Sequence, residues 1–228
     1  MTSSAKRARA ILVAAGIVWT VLLALVPCTS LGEDESSPVM LSLLSPVEWP
    51  SPQSDVGGFR LSLLYGECRD FAGLDIGLIG CATGDFAGLS VGGVNVVSRR
   101  LAGLQVGFVN WNLNDEMAPG HRSIGVQYGV VNYVDTLFGL QDGWVNLSSG
   151  TLTGVQYGFL NCAADMSGLQ CGCLLVLGVN VAAGSVSGCQ IGIVNLADRM
   201  ESGLQIGLLN IVLHNGFLPV LPIVNGGF

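Results

Sequence analysis

From Gly58 onwards the chain alternates between apolar and polar positions on a short cycle. Each cycle opens on a glycine, counted here as position zero. Positions one, three and five are then apolar, as in Leu104, Val106 and Phe108 or Leu204, Ile206 and Leu208. Position two is usually Gln, position four nearly always Gly, and position seven usually Asn. A period of two predicts β-strand, because successive side chains leave opposite faces. Position six is apolar as well (Val109, Val131, Leu209), so the alternation breaks after the second glycine. A glycine at such a break marks a bulge or a close backbone approach. Small or polar residues follow the Asn. An apolar residue then stands two before the next leading glycine: Phe71, Phe86, Leu101, Leu137, Leu152, Met166 or Val186. That residue predicts a second, shorter strand in each cycle.

The cycle is an internal repeat. GLQVGFVN at 103–110, GVQYGVVN at 125–132, GLQDGWVN at 139–146, GVQYGFLN at 154–161, GCQIGIVN at 188–195 and GLQIGLLN at 203–210 are its clearest copies. Looser copies begin at Gly58, Gly73, Gly88 and Gly168. Most leading glycines lie 14 or 15 residues apart, with wider gaps of 22 and 20. The first wide gap holds the polar stretch WNLNDEMAPGHRS at 111–123, the second an apolar expansion around CGCLLVLG at 171–178. Gly80 and Leu175 stand where Asn is expected, and Asp142 stands where an apolar residue is expected.

One unit cannot fold alone. It buries about four or five apolar side chains at ~1.5–3 kcal/mol each, whereas ordering its backbone costs roughly 1–2 kcal/mol per residue. Stacking on the next unit closes the deficit, which is the logic of a solenoid. The expected fold is therefore all-β: a β-solenoid of about ten coils, each 14–15 residues long. With coils in register, equivalent residues stack ~4.8 Å apart. Gln105, Gln127, Gln141, Gln156, Gln170, Gln190 and Gln205 then form one ladder, and Asn95, Asn110, Asn132, Asn146, Asn161, Asn195 and Asn210 another. Amides carry both donor and acceptor, so such columns satisfy themselves. The alternative is a transmembrane β-barrel, whose spanning strand of ~9–11 residues plus a turn has a similar period. In that case the apolar positions face lipid, Gln and Gly face inward, and the terminal Phe228 fits a barrel end. The likeness of odd and even units favours the solenoid, because consecutive barrel strands are antiparallel.

The ends divide the chain further. Residues 1–30 read as a secretory signal: Lys6, Arg7 and Arg9 precede the uncharged run Ala10 to Val26. An uncleaved anchor is the alternative. Cys28 sits where a lipoprotein carries its lipidated Cys, but Pro27 replaces the small residue expected before it. Residues 31–57 form a polar, Pro-rich lead-in and N-terminal cap, within which VMLSLL forms a strand. Residues 58–215 are the tandem repeats, and 216–228, with Pro219 and Pro222, form the C-terminal cap. Proline removes strand donors and so blocks growth by edge pairing.

Composition narrows the function. The chain has 228 residues, 50% of them hydrophobic and only 11% charged, with 33 Gly. That excludes disorder and, without glycine at every third residue, collagen. The net charge is −7, and Lys6 is the single lysine. Residues 1–30 hold three of nine bases and none of sixteen acids, so the exported part carries −10. No nucleic-acid partner is expected.

The pattern VMLSLLSPVEWP, then FRLSLLYGECRDFAGLDIGLIG, then tandem GLQxGxxN units and FLPVLPIVN resembles the leptospiral-type surface repeat-containing proteins over residues 38–228. The resemblance implies an exported bacterial protein of the cell envelope, outer membrane or cell surface. It brings no catalytic residues.

Candidate chemistry is sparse. Cys171 and Cys173 are too close for usual zinc spacing, and Cys171, Cys173 and Cys189 fall on apolar positions, so buried thiols are expected. His121 lies in the polar insertion and His214 before the last cap, both as solvated loop residues without a nucleophile. Arg99, Arg100, Asp115 and Glu116 read as turn charges. Asp142 at position three projects with the expected core face, where an unpaired carboxylate is costly, which points to a locally wet position. No phosphate loop, calcium repeat or acyltransferase hexad is present. No cofactor, metal or catalytic residue is assigned. The expected function is a non-enzymatic structural or interaction module that presents an amide-lined face to an envelope or surface partner, with outer-membrane association as the alternative.

Overall fold

The computed structural model describes residues 36–44, 47–113, 122–173 and 177–228. Twelve strands form one continuous sheet: β1 (Ser36–Leu44), β2 (Val47–Trp49), β3 (Asp55–Cys68), β4 (Phe71–Ala82), β5 (Phe86–Val97), β6 (Leu101–Asn112), β7 (Ser123–Val134), β8 (Leu137–Gly158), β9 (Leu160–Gly172), β10 (Val179–Ile191), β11 (Val194–His214) and β12 (Val220–Gly227). Among the described residues no helix occurs.

Consecutive strands from β3 to β11 pair in parallel, with like residues opposite like. Gly103 faces Gly125, Gln105 faces Gln127 and Asn110 faces Asn132. Parallel stacking of successive units makes the fold an all-β solenoid and excludes the closed antiparallel barrel. β1 adds one more parallel coil, with Val39 opposite Phe59. The outer strands reverse: β2 is antiparallel to β1, and β12 is antiparallel to β11.

Each coil is built differently from the expectation in one respect. The residue two before the leading glycine does not begin a separate short strand. It opens the same strand that carries the octet, as Phe71 opens β4 and Leu101 opens β6. That strand bends at the position-four glycine, and from β8 on the strands run through the turns between coils as well.

The leading glycine is the tightest point. All ten have φ between +134° and +156°, a region that L side chains rarely adopt. A Cβ on Gly154 would overlap the carbonyl oxygen of Gly139 in the coil before it. Backbone conformation and stacking distance therefore both require glycine.

The sidedness of the coil is inverted relative to the sequence expectation. Positions one, three and five point outwards, and the side chains that fill the interior stand at positions minus two, two, seven and nine. The Gln and Asn columns are fully buried, while Leu74, Ile76, Leu78, Leu204, Ile206 and Leu208 are exposed. The apolar interior comes from positions minus two and nine. It falls into two clusters, one from Met40 to Leu101 and one from Val134 to Val212. Between them those positions are polar: Asn112 donates to the Ser123 hydroxyl at 2.9 Å, and both are buried. This polar layer stands at the two ends of the long insertion between β6 and β7.

Candidate functional site

The two amide columns form the interior of the coil. Each Gln Nε2 donates to the Gln Oε1 of the preceding coil, from Gln127 to Gln105 (3.0 Å) through Gln156 to Gln141 (2.7 Å) to Gln205 to Gln190 (2.7 Å). Its second hydrogen crosses the coil to a carbonyl at position eight, as Gln156 reaches Cys162 O at 3.1 Å. The Asn column runs the other way. Asn95 donates to Asn110, Asn110 to Asn132, and so on to Asn195 and Asn210, at 2.7–2.9 Å. The two rows of amide dipoles therefore oppose each other. The Gln column ends unpaired: Gln105 Nε2 at one end and Gln205 Oε1 at the other are buried without a partner, whereas Ser90 Oγ meets Asn95 Oδ1 and Asn210 Nδ2 donates to Gly207 O at the ends of the Asn column.

The Asn column contains one member that sequence reasoning missed. Asn161 donates to Asn180 at 2.8 Å, and Asn180 to Asn195 at 2.7 Å. The apolar expansion delays the Asn of the Gly168 coil from Leu175, which lies outside the described residues, to Asn180. The signal was present in Gly178-Val179-Asn180, which repeats the end of the other octets.

At the N-terminal end the columns change chemistry. Arg60 and Asp75 replace Gln at position two and form a buried ion pair, Nε to Oδ1 2.7 Å and Nη2 to Oδ2 2.8 Å. The guanidinium also donates to Cys81 O at 2.7 Å and lies 5.0 Å above the Phe71 ring. Ser90 Oγ links Asp75 Oδ2 to Asn95 Oδ1, at 2.8 Å from each. Gly80 lacks the expected Asn because a Cβ there would lie 2.6 Å from Asp75 Oδ2 and 2.9 Å from Arg60 Nη2. The ion pair fills the space an Asn would take. Burial alone would push the Arg60 pKa down, but its partners outweigh burial and hold it above the usual value.

The amides cannot act as a displayed face, because they are enclosed. What the coils display is an apolar wall. Between Asp85 and Glu201, every charged described residue except Asp142 lies between position nine of one coil and the leading glycine of the next. Charge is thus confined to the turn edge, where Asp70 Oδ1 accepts from Asp85 N at 2.7 Å.

Asp142 sits on the wall, not in the core. It stacks beside Tyr128 of the preceding coil. The next coil places Tyr157 on its other side, because Gln141 and Gln156 are neighbours in the column. The glycine bend at Gly143 carries the chain to Trp144, whose ring meets Phe159 edge-on at 6.0 Å. These residues line a groove of about 450 Å³ floored by Gly107, Gly129, Gly143 and Gly158, with Phe108 and Cys173 on its rim. Burial pushes the Asp142 carboxyl above the usual carboxylate range. Among the described residues no donor reaches that carboxylate. Comparison with known proteins finds no matching family model, curated protein or solved structure.

The remaining candidates do not converge. His214 lies at an exposed turn with Nδ1 3.4 Å from Asp198 Oδ1. His121, Asp115, Glu116 and Cys28 lie outside the described residues. The six described cysteines are free; Cys68 and Cys171 are fully buried, and Cys81, Cys162, Cys173 and Cys189 are partly so. Cys173 and Cys189 are half-buried on the wall, which corrects the expectation of core thiols there. Burial raises the pKa values of Cys68 and Cys162 to about 11. Among the described residues no three His, Cys, Asp or Glu side chains converge on a metal position.

Proposed function

We propose that the protein is a non-enzymatic structural and interaction module of a bacterial cell envelope, and that its apolar walls are the surface it works with. The observation that carries this is the inversion: polar amides inside, Leu, Ile, Val and aromatic side chains outside. Monomeric soluble proteins rarely expose apolar patches beyond a few hundred Å². Here Leu74, Ile76, Leu78, Leu204, Ile206 and Leu208 belong to columns that run along the stack at ~4.8 Å per coil. Between Asp85 and Glu201 the described charges other than Asp142 sit along the turn edge, so this length of the body is amphipathic. Such a body rests with its walls in an apolar phase and its turn edge in water, as an interfacial helix does. The basic and apolar leader in residues 1–30 and the GLQxGxxN resemblance support export to the envelope.

Fractionation of expressing cells tests this. The chain should sediment with membranes, survive a high-salt wash, and lose association when Leu204, Ile206 and Leu208 are replaced together by Thr. A native chain that stays monomeric in the soluble fraction, with the triple variant behaving identically, overturns the reading.

A further inference from the structure

Among the described residues, the groove around Asp142 is the one place where the apolar wall carries a charge. We propose that it is a binding site for an alkylated ammonium cation, held by the Asp142 carboxylate and the ring faces of Tyr128, Trp144 and Tyr157. Three features of the groove select this chemistry. The walls are aromatic, with Trp144 and Tyr128 largely exposed and Phe159 set edge-on to Trp144 at 6.0 Å. Ring faces attract cations, and most strongly those that shed water easily. The floor is bare backbone at Gly107, Gly129, Gly143 and Gly158; a Cβ on Gly143 would point into the coil, overlapping the carbonyl of Gly129 and lying 2.6 Å from Asn132 Nδ2.

The carboxylate is the third feature. Arg and Lys partners are absent from it among the described residues, and it is half-buried, so a charge of opposite sign is the missing element. A metal ion would need further ligands, and among the described residues none converge. A sugar would need several donors and acceptors around it, whereas the wall offers one carboxylate and the tyrosine hydroxyls. A primary ammonium is a compact, strongly hydrated charge with three donors to satisfy, and shedding that water against aromatic rings is costly. A trimethylammonium group needs none, and its diffuse charge suits one carboxylate among rings.

Calorimetric titration of the purified chain with choline, tetramethylammonium and the neutral choline isostere 3,3-dimethylbutanol tests the site. Both cations should bind saturably, and the isostere at least tenfold more weakly. Asp142→Asn and Trp144→Ala should each weaken cation binding at least tenfold while retaining the parent far-ultraviolet spectrum. A parallel arm uses phosphatidylcholine and phosphatidylglycerol vesicles. Binding of choline in solution identifies a soluble ligand, and Asp142-dependent binding to phosphatidylcholine vesicles alone identifies a lipid headgroup. The proposal is overturned if the isostere matches choline, if Asp142→Asn binds like the parent, or if neither cations nor phosphatidylcholine vesicles bind. Envelope association through the Leu and Ile columns is read by the fractionation above and does not depend on this result.

Discussion

Replacing one glutamine in the middle of its column should cost almost as much as replacing two. Gln156 gives one hydrogen to Gln141 Oε1 at 2.7 Å and the other to Cys162 O at 3.1 Å, and accepts from Gln170 Nε2 at 2.8 Å. Gln156→Met keeps the length and removes the amide. It leaves two buried groups short of a partner, Gln141 Oε1 and one hydrogen of Gln170 Nε2. At ~1–3 kcal/mol for each, plus ~0.5–1.5 kcal/mol for the lost bond to Cys162 O, the loss is about 2.5–7.5 kcal/mol. In Gln141→Met/Gln156→Met the orphans are again two: Gln127 Oε1 on one side and the same Gln170 hydrogen on the other. The bond between the two replaced residues disappears with both partners and leaves nothing unpaired. Only the contact from Gln141 to Leu147 O, at 3.3 Å, is lost in addition, worth ~0.5–1.5 kcal/mol. At the end of the column Gln205 Oε1 is already unpartnered. Gln205→Met therefore orphans one group, Gln190 Oε1, and loses the bond to Ile211 O at 3.1 Å, costing about 1.5–4.5 kcal/mol. Guanidinium unfolding followed by circular dichroism measures all four chains. Additive losses in the double variant, or equal losses at Gln156 and Gln205, would refute the one-way column as the source of interior stability.

Three further outcomes follow from the same geometry. Gly154→Ala should prevent folding or lower the melting temperature sharply, because its φ of +139° and the Gly139 carbonyl both exclude a side chain; Gly57→Ala, with open space around it, should stay within ~0.5 kcal/mol of the parent. Arg60→Met should destabilise by about 3–5 kcal/mol by leaving the buried Asp75 carboxylate uncompensated, and Arg60→Met/Asp75→Leu should recover most of that loss; a double variant worse than the single would contradict this reading. Asp142, whose carboxyl is raised by burial, binds a proton more readily folded than unfolded. Its contribution to stability therefore falls as pH rises from the ordinary carboxylate value through the raised one. Asp142→Asn should be more stable than the parent above that window, with the gap closing in acid, and parallel pH–stability curves would contradict the assignment.

The repeat, the strands and the parallel stacking were all legible, because a period of two within a period of 14–15 residues leaves few other architectures. The sidedness was read the wrong way round, for a reason that lies in the physics of alternation. A period of two says that Leu104 and Gln105 leave opposite faces, but not which face is inside. The usual weighting of apolar burial put Leu104 in the core, whereas a self-satisfying amide column makes the polar face equally able to fill it. The columns themselves held the answer. Position two repeats Gln from Gln105 to Gln205 without exchange, whereas position three runs through Val106, Tyr128, Asp142, Tyr157, Cys171 and Ile191. A water-facing polar position tolerates any polar residue, but an enclosed residue that must pair with its own copy ~4.8 Å away tolerates no exchange. Invariance of a polar position among copies therefore marks it as enclosed, whereas the apolar interior positions, from Phe71 to Val186 and from Ala82 to Val134, are free to vary. The same rule explains why Asp142 could arise on the wall without breaking the stack. It also explains why Arg60 and Asp75 could enter the column only as a matched pair beside a glycine at position 80.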